Sequence, residues 1–348
     1  MSEASAEAGS SASSSAPVTE RGLAPADLLA LSIEPNWTMD DPEERTFLAV
    51  QLDAQPELRQ PETARLSAWL TQQPVPVIGV GAASSRLGNA VDLFADGPQD
   101  LQRLAANIRR WPQASAMLVQ VLRATAQLGA LDGLAVESMA YATLQGGAEF
   151  ARWLAGHKSP ASSAGRSEDI LLLDRQAERL DLVLNCPENR NALSRAMRDA
   201  LTDAFRWVVQ DPSITRVEVS ARGPCFSAGG DLTEFGTMTD LAQAHRIRMT
   251  HMPARYLAAC RDRCQFRVHG ACIGAGIELP AFAARLTAKP DARFRLPEVG
   301  MGLIPGAGGC VSIPRRIGRQ RTARMAILGD DLAADEALAW GLIDAIEA

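Results

Sequence analysis

VHGACIGAGIELPAFAARL, residues 268–286, is the stretch whose reading decides the fold. Three small residues, Gly274, Ala275 and Gly276, precede what reads as a helix opening near Ile277. Backbone amides at a helix start have no partner within the helix, so they are placed to stabilise developing negative charge. Glu278 falls in the first helical turn among Ile277, Leu279 and Phe282. A carboxylate there either complements the helix dipole or takes part in chemistry, and this stretch alone leaves both open.

Working outward, the second half of the chain alternates strands and helices. LDLVLN (180–185) reads as a strand, and the turn CPENRN leads into the helix ALSRAMRDALTDAFRWVVQ. VEVSA (217–221) is a further strand and enters RGPCFSAGGDL (222–232), where Gly229 and Gly230 permit a sharp turn close to a ligand. Such alternation implies βαβ crossovers and an α/β fold class. Downstream, FRLPEVGMGLIPGAGGCVSIPRRIG (294–318) sets Glu298 in an otherwise apolar stretch. A carboxyl so placed is either a partly exposed loop residue or one whose pKa desolvation raises, which suits a proton donor, and this stretch alone leaves both open.

The first half is different. Residues 1–21, rich in Ser and Ala and without aromatics, are expected to form a disordered tail. Residues 22–158 are expected to form a mostly helical region, and SPASSAGRSE (159–168) a linker ahead of a core at 169–348. TFLAVQL (46–52) and PVPVIGVG (74–81) read as strands around the helix ARLSAWLTQ (64–72). From Asp100 onward the pattern is helical, with apolar residues at 101, 104, 105 and 108 and a break at Pro112. Glu137 and Tyr141 on these helices read as solvated or interfacial positions, with a functional role as the alternative.

Composition limits the function classes. A net charge of -6 argues against nucleic acid as a general partner. No apolar run approaches the ~20 residues of a membrane span. Six scattered cysteines, without a CxxC pair, suit reduced thiols and a cytoplasmic setting, and give no metal-ligand spacing. Of the four histidines, His245 and His251 read as ordinary polar positions, with substrate tuning as the alternative.

Taken together the turns resemble the crotonase (enoyl-CoA hydratase/isomerase) superfamily. SAGGDL is similar to the family's AGxDL turn, GACIGAGIEL to its glycine-rich helix start, and LPEVGMGLIPGAGG to its PExxxGxxPGxGG loop. PENRNAL (187–193) is similar to its first coenzyme A-facing loop, PxxxNAL. The resemblance implies a crotonase-like ββα superhelix core. It implies an acyl-CoA thioester as partner, with no metal and no further cofactor, since coenzyme A belongs to the substrate. It also implies homo-oligomers such as trimers.

Residue by residue, the resemblance implies an oxyanion hole from the N–H groups of Ala228 and Ala275. Glu278 is implied to activate water and Glu298 to exchange the proton at Cα. Arg190, Asn191, Ala192, Ser227, Gly229, Gly230, Asp231, Gly274, Gly276, Pro305 and Gly306 are implied to contact coenzyme A or the acyl group. Two glutamates point to hydration of a 2-enoyl-CoA or the reverse dehydration. Isomerisation, cofactor-independent oxygenation and non-catalytic acyl-CoA binding are the alternatives. Residues 88–158 resemble the helical tail that family members carry after the segment matching AWGLIDAI, which suggests a degenerate crotonase-like half fused ahead of the core.

Overall fold

The computed structural model describes residues 22–32, 46–53, 58–157 and 169–347. The expected tail and linker lie outside these residues. The chain opens with helix α1 (Pro25–Leu31), strand β1 (Leu48–Gln51), helix α2 (Gln60–Thr71), and strands β2 (Val77–Val80) and β3 (Leu93–Ala95). The three strands form a parallel sheet in the order β1-β2-β3. The strand–helix–strand expectation for 46–81 thus holds, and β3 extends it. Leu28, Val50, Leu66, Leu70 and Val77 make a small core of their own between this sheet and the two helices.

Four helices follow: α3 (Pro98–Arg110), α4 (Pro112–Thr125), α5 (Ala130–Gln145) and α6 (Ala148–Gly156). Leu101, Leu104, Ala105 and Ile108 line one buried face of α3. Pro112 opens α4, where its missing N–H costs no hydrogen bond.

The second half carries strands β4 (Leu171–Gln176), β5 (Arg179–Leu184), then helix α7 (Arg195–Gln210) and strand β6 (Arg216–Ala221). Ser194 caps α7 by accepting from Met197 N at 3.3 Å. Helices α8 (Leu241–His251) and α9 (Pro253–Cys260) precede β7 (Cys264–Val268) and β8 (Ala271–Ile273). Next come the one-turn helix α10 (Ala275–Glu278), β9 (Arg285–Ala288), β10 (Arg293–Arg295), the one-turn helix α11 (Gly309–Ser312) and α12 (Pro314–Leu328). Short strand β11 (Leu332–Ala333), helix α13 (Ala334–Trp340) and β12 (Ala345–Ile346) complete it.

Six strands form the main sheet in the order β12-β9-β7-β6-β5-β4, parallel except for the β4–β5 hairpin. A second sheet, β11-β10-β8, lies beside it. Alternate burial along β5 shows one face turned to the core. The mixed α/β architecture agrees with the reading of the sequence.

One apolar core runs through both halves, from Leu104, Leu118 and Leu122 on α3 and α4 to Phe205, Leu286, Val311 and Ile327. The helices of the first half therefore do not stand apart; their buried stripes close over the second. Thr125 Oγ1 donates to the Cys310 carbonyl at 2.8 Å. The buried carboxylate of Asp92 pairs with Arg123 on α4 and, at 3.0 Å, with Arg319 on α12. No helix among the described residues is long and apolar enough to cross a membrane.

Candidate active site

Strands β8 and β10 pair in parallel with Ile273 opposite Arg295. That register sends the segments leaving them, 274–278 and 296–298, out on the same edge. Gly274 turns the first with φ +50°, and its amide donates to the Arg295 carbonyl at 2.8 Å. A Cβ at Gly274 would collide with Glu298 Oε1, so only glycine lets the second carboxyl come this close. Glu278 and Glu298, the two carboxylates singled out in the sequence, meet across this residue.

Glu278 is 2% exposed. Its Oε2 accepts both Ala307 N, at 2.7 Å, and Gly309 N, at 2.8 Å. Its Oε1 has no partner among the described residues and is the atom turned toward Gly274 and Glu298. Burial pushes the Glu278 pKa up to about 7, against the pull of the two amides. Glu298 Oε2 is buried without a hydrogen-bond partner. Burial, reinforced by the charge of Glu278, raises its pKa well above the ordinary value. One carboxyl therefore carries a proton where the other is free to accept one, the arrangement that acid–base pairs use.

A third carboxylate completes the cluster. Glu137, assigned a solvated or interfacial role from the sequence, is in fact 2% exposed. Its Oε1 accepts Gly308 N at 2.7 Å and its Oε2 accepts Cys310 N at 2.8 Å. Glu137 and Glu278 thus take alternate amides of the 307–310 turn, the four that lead into α11. Burial and the Glu278 charge push the Glu137 pKa well up, and the amides and Arg248 pull it down. With both oxygens accepting from N–H groups, the geometry suits the ionised form.

Tyr141, one turn along α5, packs its ring on Gly306, where a side chain on residue 306 would have no room. Its hydroxyl, raised in pKa by burial, senses Arg248, Glu298, Glu278 and Glu137. The sequence reading named both residues but preferred solvated or interfacial roles, because nothing local says what they would meet. The one available signal was an acidic residue inside an apolar helical repeat, AVESMA.

The amide donors divide. Ala275 N has no acceptor among the described residues and stands at the opening of α10. Ala228 N, expected as its partner, instead donates to the Arg190 carbonyl at 3.0 Å. Arg190 and Asn191 both adopt positive φ, near 50°, which turns that carbonyl inward.

Several residues expected to contact the ligand make internal contacts. Asn191 is fully buried; it accepts Cys186 N and donates to the Arg222 and Cys225 carbonyls, so its amide clamps two loops. Asp231 caps the turn at Leu232–Glu234 through Thr233 N and accepts Asn189 Nδ2 at 3.1 Å. Ser227 Oγ donates to the Asn191 carbonyl and accepts Gly229 N. Ala192 is buried, the Gly229 carbonyl takes Leu193 N, and Gly276 packs on the Ser227 carbonyl. Gly230 faces the ring of Phe235, and the Pro305 carbonyl takes the Cys310 thiol. Arg190 and Glu188, the charged groups of the 187–193 loop, are both exposed to solvent.

Residues 175–348 match the family model described as enoyl-CoA hydratase/isomerase. Among curated proteins, the chain is 34% identical over 173 residues to 2,3-dehydroadipyl-CoA hydratase of Escherichia coli, covering 50% of this chain and 67% of that one. It is 31% identical to the mevalonyl-coenzyme A hydratase of Beauveria bassiana, covering 48% of this chain and 62% of that one. Among solved structures, an enoyl-CoA hydratase from Mycobacterium smegmatis is 32% identical, with a TM-score of 0.47, covering 51% of this chain and 70% of that one. The chain thus spans about two thirds of the length of the curated relatives it matches.

Proposed function

Because the chain belongs to the enoyl-CoA hydratase/isomerase family, we propose that it hydrates a 2-enoyl-CoA thioester, or dehydrates the corresponding 3-hydroxyacyl-CoA. The observation that carries this reading is the pair of buried carboxyls at Gly274, one with a free oxygen and the other with an unpartnered one. A binding protein has no use for two such groups, since burying each costs free energy.

In the hydration direction, Glu278 Oε1 takes a proton from water as its oxygen bonds to C3. Electrons of the C2=C3 bond move toward the thioester oxygen, and the enolate is held by amides. Glu298 then delivers its proton to C2, and one molecule of water has been added. Ala275 N–H is free to receive the thioester oxygen. Ala228 N–H joins it once the thioester oxygen replaces the Arg190 carbonyl. Losing one preorganised donor of this kind costs about 3–4 kcal/mol of transition-state stabilisation.

The front of the chain takes part in the same reading. Helices α3 to α6 supply Glu137 and Tyr141 and close the core over α11 and α12. This supports reading them as stand-ins for the family's tail helices, which residues 88–158 resemble.

The pH dependence tests the roles. As the base, Glu278 must be unprotonated, and burial places it at about 7. As the acid, Glu298 must hold its proton. kcat/KM for a 2-enoyl-CoA is therefore expected to rise with pH through about 7 and to fall at higher pH. In Glu298→Gln the high-pH fall should disappear from the residual rate. A profile flat from pH 5 to 9 would contradict the assignment.

A further inference from the structure

Beyond Tyr141 the same helix borders a second, small recess, lined by Glu137, Ser138, Arg248, Met252, Arg255 and Gly306. Gly306 and Glu137 belong to both this recess and the carboxylate cluster, so the two adjoin. Arg248 is half-buried, with its guanidinium 4.6 Å from the centre of the Tyr141 ring. Its Nε donates to Ser138 Oγ at 3.2 Å and its Nη2 to Gln145 Oε1 at 3.1 Å. The Ser138 hydroxyl is in turn fixed by His245 Nδ1 at 2.9 Å.

No carboxylate among the described residues pairs with Arg248 or with Arg255. The one carboxylate in the recess, Glu137, is held by the Gly308 and Cys310 amides. Arg198 adds further positive charge nearby. A guanidinium taken out of water without a counter-charge is costly, and neutral hydrogen bonds offset only part of that cost. Arg248 and the half-buried Arg255 flank one recess, Arg248 is oriented by uncharged partners, and Glu137, whose charge acts on Arg248, is the one carboxylate set against them. The recess thus carries more positive than negative charge, and a bidentate anion suits the planar guanidinium best.

Resting on the reading of the site as an acyl-CoA hydratase, we propose that this recess receives a carboxylate at the far end of the acyl chain, so that the substrates are ω-carboxyacyl-CoA thioesters. A chain with its C2=C3 bond between Glu278 and Glu298 passes Tyr141 to reach Arg248. A purely hydrocarbon chain would instead follow apolar surface, such as the small cavity lined by Leu201, Phe205, Phe226, Ala275 and Leu279.

Equilibrium binding to the full chain separates the two. Saturated glutaryl-, adipyl- and suberyl-CoA are titrated against pentanoyl-, hexanoyl- and octanoyl-CoA, so that turnover plays no part. At least one dicarboxylic thioester should bind roughly 10- to 100-fold more tightly than its monocarboxylic counterpart, the range of a charge-assisted hydrogen-bonded pair. Arg248→Met should abolish that ratio, and Arg248→Lys should keep part of it. Equal affinities across each pair, or a ratio untouched by Arg248→Met, overturn the proposal while leaving the hydratase reading intact. Binding of no thioester at all overturns both.

Discussion

Glu278→Gln is expected to lower kcat for hydration by about 10³-fold, within the 10²–10⁴ range of general acid–base catalysis, while leaving the fold in place. The reason lies in how its two oxygens divide their work. Oε2 takes both structural bonds, from Ala307 and Gly309. A glutamine keeps one carbonyl oxygen, which can occupy that position and accept both amides. Its amide nitrogen then replaces Oε1, the atom assigned to water, and cannot take a proton. KM should move little, since no bond to the coenzyme is lost. Steady-state kinetics together with the thermal unfolding midpoint check the prediction. A large fall in the midpoint would mean that the turn at 307–310 had been disrupted, and a rate within a few-fold of the unsubstituted chain would remove Glu278 from the mechanism.

Glu137 should behave in the opposite way. Each of its oxygens holds one amide, Gly308 on Oε1 and Cys310 on Oε2. Glu137→Ala leaves two buried N–H groups without an acceptor, each worth about 1–3 kcal/mol, so the loss is about 2–6 kcal/mol. Glu137→Gln does not rescue it fully, because one amide nitrogen would then face an N–H donor. Relief of the repulsion between Glu137 and Glu278 offsets part of the cost. Denaturant unfolding of the two variants beside Glu278→Gln makes the comparison. The expected order of stability is Glu278→Gln, then Glu137→Gln, then Glu137→Ala. A Glu137→Ala chain as stable as the unsubstituted one would mean that the third carboxylate holds nothing.

The contrast between these two glutamates also shows what a sequence can disclose. Glu278 and Glu298 are legible because the chemistry around them is local. Small residues at 274–276 announce a close turn, and Pro297 and Val299 announce a carboxyl in an apolar setting. The strand and helix patterns of 46–81 and 180–221 are legible for the same reason, since burial on one face repeats at a fixed interval. Glu137 is illegible because its partners lie in the far half of the chain. Nothing in AVESMA says which turn will descend on it.

Asn191 and Asp231 show a related limit. Short polar residues in glycine-rich loops suit ligands and backbone amides equally well, and the choice depends on which loop packs beside them. Here Asn191 meets the Arg222 and Cys225 carbonyls, and Asp231 meets the start of its own turn. Ala228 adds a conformational case. Its amide was expected to face the substrate, but the carbonyl that takes it belongs to Arg190, whose left-handed backbone no pattern foretells. The continuous core joining α3 and α4 to α11 and α12 was not legible in the amphipathic stripes, which announce burial without naming what they are buried against; only the resemblance of 88–158 to the family's tail helices pointed to it.

The measurement that bears most directly on the central claim is the fate of water. The full chain is incubated with a 2-enoyl-CoA in water enriched in heavy oxygen, with ω-carboxy and plain acyl chains tested side by side. Acid–base hydration by Glu278 and Glu298 predicts a 3-hydroxyacyl-CoA carrying one heavy oxygen at C3, formed by the unsubstituted chain and suppressed about 10³-fold in Glu278→Gln. Conversion of the thioester to a 3-enoyl isomer without uptake of oxygen, or no change in any thioester that binds, would contradict it.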